Sequence, residues 1–274
     1  MPVTRFAPSP TGNLHLGHAY SALFARREAG PDGTMLLRLE DIDGTRCRAA
    51  FAAAIEQDLA WLGLDWPGPV RRQSEHLGDY AAATAVLEAR GLVYPCFCTR
   101  ADLAEAASAP HGRPAIYPGT CRSLPPELRA ERIARGEPHA LRLDCAAALA
   151  STGPLAWRDL DHGLVPADPA RLGDVVLARK DIGTSYHLAV TWDDAIQGVE
   201  IVTRAEDLFE ATHIHRLLQA LLGLPVPVWR HHTLLHDAEG RRLAKRDRAP
   251  TLRALREAGY SAAAVRALAG WPAP

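Results

Sequence analysis

The strongest constraint in this chain is the order of its hydrophobic periods. Val3 to Phe6 is a short β-prone run that stops at Pro8 and Pro10, and a helical pattern follows from about His15 to Glu28. Gly30 to Gly33 breaks it, and Met35 to Leu39 is a compact apolar run bounded by charges. From Ala49 to Leu62 the residues Phe51, Ile55, Leu59 and Leu62 recur at helical spacing, and Tyr80 to Arg90 repeats the pattern. Strand and helix in alternation predict a parallel sheet with helices outside.

The middle of the chain reads differently. From Pro95 to Pro138 it is rich in Pro, Gly and Cys and its periodicity is poor, while His139 to Leu143 and Asp174 to Ala178 look like strands of a smaller insertion. From Ser185 the alternation resumes. Tyr186 to Val190 reads as strand into helix, Val199 to Val202 as strand and Asp207 to Leu222 as helix. An Arg-rich loop spans Ala238 to Arg248, and short Ala-rich helices follow. The expectation is an α/β fold: one doubly wound domain in two halves, 1–94 and 181–237. It is split by an insertion at 95–180 and followed by the loop and C-terminal helices at 238–274.

Composition narrows the function classes. Lys+Arg is 31 and Asp+Glu is 32, so the net charge of -1 argues against a partner held by bulk positive charge. Two basic residues are lysines, Lys180 and Lys245, and 29 are arginines. A position that stays Lys in such a chain points to a need for the ammonium itself. Five cysteines without secreted-type spacing, no signal-peptide start and no run of about 18 apolar residues predict a cytoplasmic protein without a membrane span.

Two segments carry the chemistry. Arg5 to His18, RFAPSPTGNLHLGH, is a strand, a Pro-rich turn and a helix start. Helix N-termini present unpaired N–H groups and partial positive charge, which suit phosphate. His15 and His18 fall on one side of the first turn, placed to donate hydrogen bonds to phosphoryl oxygens, and Gly17 leaves room for a flat ring. In the insertion, Cys96, Cys98 and Cys121 suggest a structural metal, because the segment has little core of its own. Zinc wants a fourth ligand; His111, Tyr117 and Cys145 are the candidates, and chemistry alone prefers His111.

The stretch PSPTGNLHLGH resembles the first signature of class I aminoacyl-tRNA synthetases, in the form of the glutamyl branch. That resemblance implies a Rossmann-type catalytic domain and a second, Lys-bearing loop downstream. Arg241-Arg242-Leu243-Ala244-Lys245-Arg246-Asp247 fits it, with Arg242 where a Lys and Ala244 where a Ser is usual. By the resemblance, His15, His18 and Lys245 are catalytic, and His15, Gly17, His18, Arg242 and Lys245 contact ATP, which is used with Mg2+. Arg5, Ala7, Ser9, Glu40, Tyr186 and Arg204 would hold L-glutamate. Glu40 would face the ammonium and Arg204 the side-chain carboxylate. The family's zinc arrangement, Cys-x-Cys followed by Tyr-x-x-x-Cys, selects Cys96, Cys98, Tyr117 and Cys121.

Length then points within the family. Residue 274 follows soon after Lys245, so no helical anticodon reader is expected. This layout is similar to that of a short paralogue family, the glutamyl-queuosine tRNA(Asp) synthetases. They pass activated glutamate to queuosine at the wobble position in the anticodon loop of tRNA(Asp). A monomer is expected. The alternatives are a truncated glutamyl-tRNA synthetase charging a 3′ end and a catalytically idle zinc-bearing RNA-binding module.

Overall fold

A computed structural model describes residues 1–99, 101–102, 116–234 and 250–271 of the chain. Strand β1 (Val3–Phe6) leads into helix α1 (Leu16–Ala29). There follow β2 (Thr34–Leu39), α2 (Ala49–Trp61), the two-residue β3 (Arg71–Arg72) and α3 (Leu77–Ala89). The three strands form a parallel sheet in that order, with Arg5 opposite Leu36 and Phe6 opposite Leu37. Parallel neighbours need crossovers, which α1 and α2 supply. The turn from α1 into β2 is tight: a Cβ on Gly33 would lie 1.9 Å from the Ala29 carbonyl oxygen, so only glycine fits.

The chain then builds β4 (Val93–Cys96), α4 (Pro126–Ala134), β5 (Ala140–Leu143), α5 (Cys145–Thr152), β6 (Ala156–Asp159), β7 (Gly163–Pro166) and β8 (Val176–Ala178). Strands β4, β5 and β8 form a separate antiparallel sheet. The last part runs α6 (Tyr186–Ile196), β9 (Ile201–Ala205), α7 (Ala211–Leu222), β10 (Val228–His232), α8 (Leu252–Glu257) and α9 (Ala262–Leu268). β9 and β6 flank β10, both parallel to it, and β7 adds an antiparallel edge. The two parallel units meet where the Glu200 N–H donates to the Val3 carbonyl at 2.9 Å, which lays β9 beside β1.

One apolar core fills the space between the first sheet and its helices, with Leu23, Leu37, Ile55 and Leu59 at its centre. Leu252, Leu255 and Val265 join it, so α8 and α9 are packed onto the first half rather than trailing from it. A second core, with Leu143, Leu177, Leu217 and Leu218, lies between the antiparallel sheet and α7.

Several sequence expectations change. Residues 186–190 are the start of α6 and not a strand. Leu188, Ala189 and Val190 are consecutive and all buried, which hides the helical period. The helix expected from Asp207 begins at Ala211, after a 3-10 turn at Glu206–Leu208. The segment of poor periodicity contains α4, and the β6–β7 hairpin and β10 carry no clear sequence signal. Because Asp159 pairs with Trp229, residues 156–166 belong to the sheet of the second half although they fall inside the 95–180 span. The loop expected at Ala238 to Arg248 lies outside the described residues.

Candidate active site

Open parallel sheets bind ligands beyond the carboxyl ends of their strands, where the connections diverge. Here β1 and β9 lie side by side, and a cleft of ≈ 440 Å³ opens at that edge. Nine residues singled out in the sequence line it: Arg5, Ala7, Ser9, His15, Gly17, His18, Glu40, Tyr186 and Arg204. They come from five elements or their flanking turns, so the fold brings together what the chain keeps up to 199 residues apart.

The helix end fixes the two imidazoles. His15 is the N-cap of α1, and its Nδ1 accepts the Gly17 N–H at 3.1 Å. The His15 N–H in turn donates to His18 Nδ1 at 3.2 Å, and the ring centroids are 3.8 Å apart. This is a capping box written with histidines. A ring nitrogen that accepts is unprotonated, so each neutral ring carries its proton on Nε2. The capping bonds therefore set both rings as hydrogen-bond donors at a positive helix end.

Behind the cleft lies a buried ion network. Asp194 Oδ1 accepts from Arg5 Nε at 2.9 Å and from Arg38 Nη1 at 2.8 Å. Arg5 also donates to the Thr203 carbonyl at 2.7 Å. Arg38, 0% exposed, reaches Glu40 at 3.7 Å and Asp193 at 3.8 Å. Asp193 accepts from Arg71, Gln73 and the Tyr80 hydroxyl, each at 2.9 Å. Burial would raise the Asp194 carboxyl, but the guanidiniums of Arg5 and Arg38 outweigh it and hold it below the usual range. At Glu40 the balance goes the other way. Burial pushes its carboxyl up to about 7, against the pull of Arg38 and Arg5.

Arg204 has a different environment. It donates to His231 Nε2 at 3.2 Å, His215 Nδ1 at 3.0 Å, the Tyr186 hydroxyl at 3.5 Å and the Thr212 hydroxyl. All four partners are neutral, and Arg204 is 6% exposed. A buried cation without a hydrogen-bonded anion is costly, and burial lowers its pKa, against a weaker pull from Asp194. Such a group is stabilised by an incoming carboxylate. The cleft thus joins a cation for one carboxylate, a carboxylate for an ammonium and a helix end with two donors for phosphate.

The cysteines gather away from the cleft. The Sγ atoms of Cys96, Cys98 and Cys121 lie within 4.8 Å of one another, so they could hold a metal ion. The Tyr117 hydroxyl is 3.4 Å from Cys96 Sγ and 3.5 Å from Cys98 Sγ. Tetrahedral zinc with Zn–S near 2.3 Å needs sulfurs about 3.8 Å apart, and Cys98 and Cys121 are 3.5 Å apart, so the donor set fits. Burial raises Cys98 to about 11. At Cys121 burial is outweighed by hydrogen bonding from Tyr117 and the Phe97 N–H, which favours a thiolate. Lys180 donates to the Phe97 carbonyl at 2.9 Å, between the two cysteines of Cys-x-Cys. A single carbonyl acceptor suits a point-charge ammonium. His111, Arg242 and Lys245 lie outside the described residues, and Cys145 is in the core beneath α7.

Comparison with known proteins agrees with this fold. Residues 2–271 match the family model of the tRNA synthetases class I (E and Q), catalytic domain. The chain belongs to this family. The synthetase domain is 50% identical to a glutamyl-Q tRNA(Asp) synthetase of Rhodobacter capsulatus, over 98% of this chain and 99% of that protein. It is 46% identical to a glutamyl-Q tRNA(Asp) synthetase of Nocardia farcinica, over 96% of this chain and 82% of that protein. Among solved structures it resembles a glutamate tRNA ligase of Elizabethkingia meningosepticum in complex with its amino acid, with a TM-score of 0.81 and 26% identity. That match covers 98% of this chain and 60% of the ligase chain.

The synthetase cleft also contains residues that sequence reasoning missed. Asp194, Arg38 and Asp193 hold Arg5 and Glu40 from behind, and His215, His231 and Thr212 hold Arg204. Asp193 and Asp194 did leave a signal. They interrupt a helix whose neighbours are apolar, and buried carboxylates require cations. His232, whose Nε2 is 3.0 Å from Ser21 Oγ, lines the cleft opposite α1.

Proposed function

We propose that this synthetase activates L-glutamate with ATP as glutamyl-adenylate and transfers the glutamyl group, with release of AMP, to the queuosine base at the wobble position of tRNA(Asp). The observation that carries the amino-acid half is Arg204, a buried guanidinium with neutral partners, in one cleft with Glu40. Arg204 receives the side-chain carboxylate, with Arg5, Ala7, Ser9 and Tyr186 completing the pocket, and Glu40 receives the ammonium. The glutamate α-carboxylate attacks the α-phosphorus of ATP, and pyrophosphate leaves. His15 and His18 donate to the phosphate oxygens, and Gly17 leaves space for the nucleotide. Magnesium bound with ATP screens the phosphate charge.

Lys245 and Arg242 meet the departing pyrophosphate from the segment 235–249. Its flanks support this assignment: Leu234 lines the cleft, and Thr251 pairs with His15. No covalent nucleophile is required, since positioning alone brings the reactants together. The acceptor half rests on the likeness to the Rhodobacter capsulatus protein over nearly the whole of both chains. Residues 1–94 and 181–237, with the β6–β7 hairpin, form the catalytic unit. The remainder of 95–180 faces the acceptor. The protein acts as a monomer in the cytoplasm; no helix among the described residues is long and apolar enough to cross a membrane.

Zinc held by Cys96, Cys98, Tyr117 and Cys121 cross-links the insertion and takes no part in the reaction. Cys98→Ser is expected to lower the metal from about one zinc per chain to a trace after dialysis. Elemental analysis reads this directly; an unchanged zinc content removes the assignment.

Glu40 gives a pH dependence. Its carboxyl, raised to about 7, must be ionised to receive an ammonium. The KM for glutamate is therefore flat well above that pH. It rises by about tenfold for each pH unit below it, as one proton is taken up. A KM profile that is flat through neutrality contradicts the placement of the ammonium at Glu40. ATP–pyrophosphate exchange tests the activation step: glutamate supports exchange, while no exchange with glutamate, ATP and magnesium, with or without tRNA(Asp), overturns it.

A further inference from the structure

Arginine has donors and no acceptor, so every ring nitrogen facing Arg204 must carry a lone pair. His231 Nε2 and His215 Nδ1 are those nitrogens. Their other nitrogens then bear the protons. His231 Nδ1–H donates to Asp159 Oδ2 at 2.7 Å, and His215 Nε2–H donates to His187 Nδ1 at 3.2 Å. His231 is the register partner of Arg204 across β9 and β10, so its ring stands beside the guanidinium stem. Asp159 is locked by its other oxygen, which accepts the N–H groups of Asp161 and His162 at 2.9 Å and 3.0 Å. Asp159, His215 and His231 are all at most 5% exposed. A carboxylate in place of either ring would bind Arg204 as well and would neutralise it. The protein instead gives Arg204 no hydrogen-bonded carboxylate: Asp159 stands one ring away, and Asp194 acts on it only through space.

We propose that His231 and His215, with their tautomers fixed by Asp159 and His187, are positioning residues. They orient Arg204 through neutral acceptors and so make the cleft select an anionic side chain over its neutral amide. This rests on the reading of the cleft as a glutamate site. Arg204 has no directly bonded carboxylate until substrate arrives, and the discrimination between glutamate and glutamine comes from its charge. His215→Glu supplies an internal counter-ion. His215→Asn supplies a neutral acceptor on the same side.

The test is pyrophosphate exchange with glutamate and with glutamine on wild type, His215→Glu, His215→Asn and Asp159→Asn, each checked for folding by circular dichroism. His215→Glu is expected to reduce the preference for glutamate over glutamine by at least about tenfold, while His215→Asn restores most of it. In Asp159→Asn the amide oxygen stays with the two backbone N–H groups. The amide N–H then faces His231 and forces its proton onto Nε2, against Arg204. The KM for glutamate rises about tenfold with a smaller change in kcat. Wild-type discrimination in folded His215→Glu overturns the inference, as does an equal loss in His215→Asn. If His215→Glu does not fold, Asp159→Asn decides: an unchanged KM, or a loss in kcat alone, overturns it. Failure of wild-type exchange with glutamate overturns the underlying reading instead.

Discussion

Arg204→Gln is expected to lower kcat/KM for glutamate by a hundredfold to a thousandfold, about 3–4 kcal/mol of transition-state stabilisation. The guanidinium is buried and its hydrogen-bond partners are neutral, so the incoming carboxylate meets it without a bonded carboxylate of the protein in the way. The loss falls mainly on KM, because the contact is made in the ground state and kept in the transition state. Removing the cation also relieves the protein of a buried charge. The variant is accordingly expected to unfold at or above the wild-type temperature. Exchange kinetics with a melting curve check both results; a kcat/KM within a few-fold of wild type contradicts the role of Arg204.

Asp194→Ala is expected to act in the opposite sense, on stability first. One oxygen of this carboxylate bonds both Arg5 and Arg38, and neither arginine is more than 5% exposed. Breaking a buried pair by removing one partner costs about 3–5 kcal/mol, because the charge left behind is uncompensated. For a domain of this size the melting temperature falls by roughly 10 °C. Substrate binding is lost as well, since Arg5 and Glu40 are held through the same network. Thermal unfolding measures the first effect; a shift of a degree or two means that water reaches the network. Asp194→Asn keeps that oxygen as an acceptor for both arginines but loses the charge, and is expected to fall between wild type and Asp194→Ala.

The contrast between Arg204 and Asp194 shows what was legible in the sequence. Residues 5–18 carry a strand end, a turn, a helix start and two donors in one contiguous run, so their local order already implies a phosphate-facing helix; that His15 itself caps the helix needed the structure. Glu40 and Arg204 were readable through the family resemblance, and Glu40 also by its place at the carboxyl end of an apolar strand. Asp194, Asp159, His215 and His231 were not. Each is meaningful only through a partner 11 to 189 residues away, and the pairing is made by the order of strands rather than by any local period. The β6–β7 hairpin escaped for a related reason. Its second strand is largely exposed, so burial imposes no alternation on it. The Cys-x-Cys turn was visible as a metal site. Its support by Lys180, which had no task in the sequence, needed the fold to bring residue 180 beside residue 97.

The most direct test of the account is the fate of labelled glutamate. The protein is incubated with ATP, magnesium and radiolabelled L-glutamate, and with either tRNA(Asp) bearing queuosine or the same tRNA lacking it. The account predicts label on the queuosine-bearing tRNA(Asp) alone, recovered after nuclease digestion in the anticodon-loop fragment. Label at the 3′ end of tRNA(Glu), with none on queuosine-bearing tRNA(Asp), would contradict it.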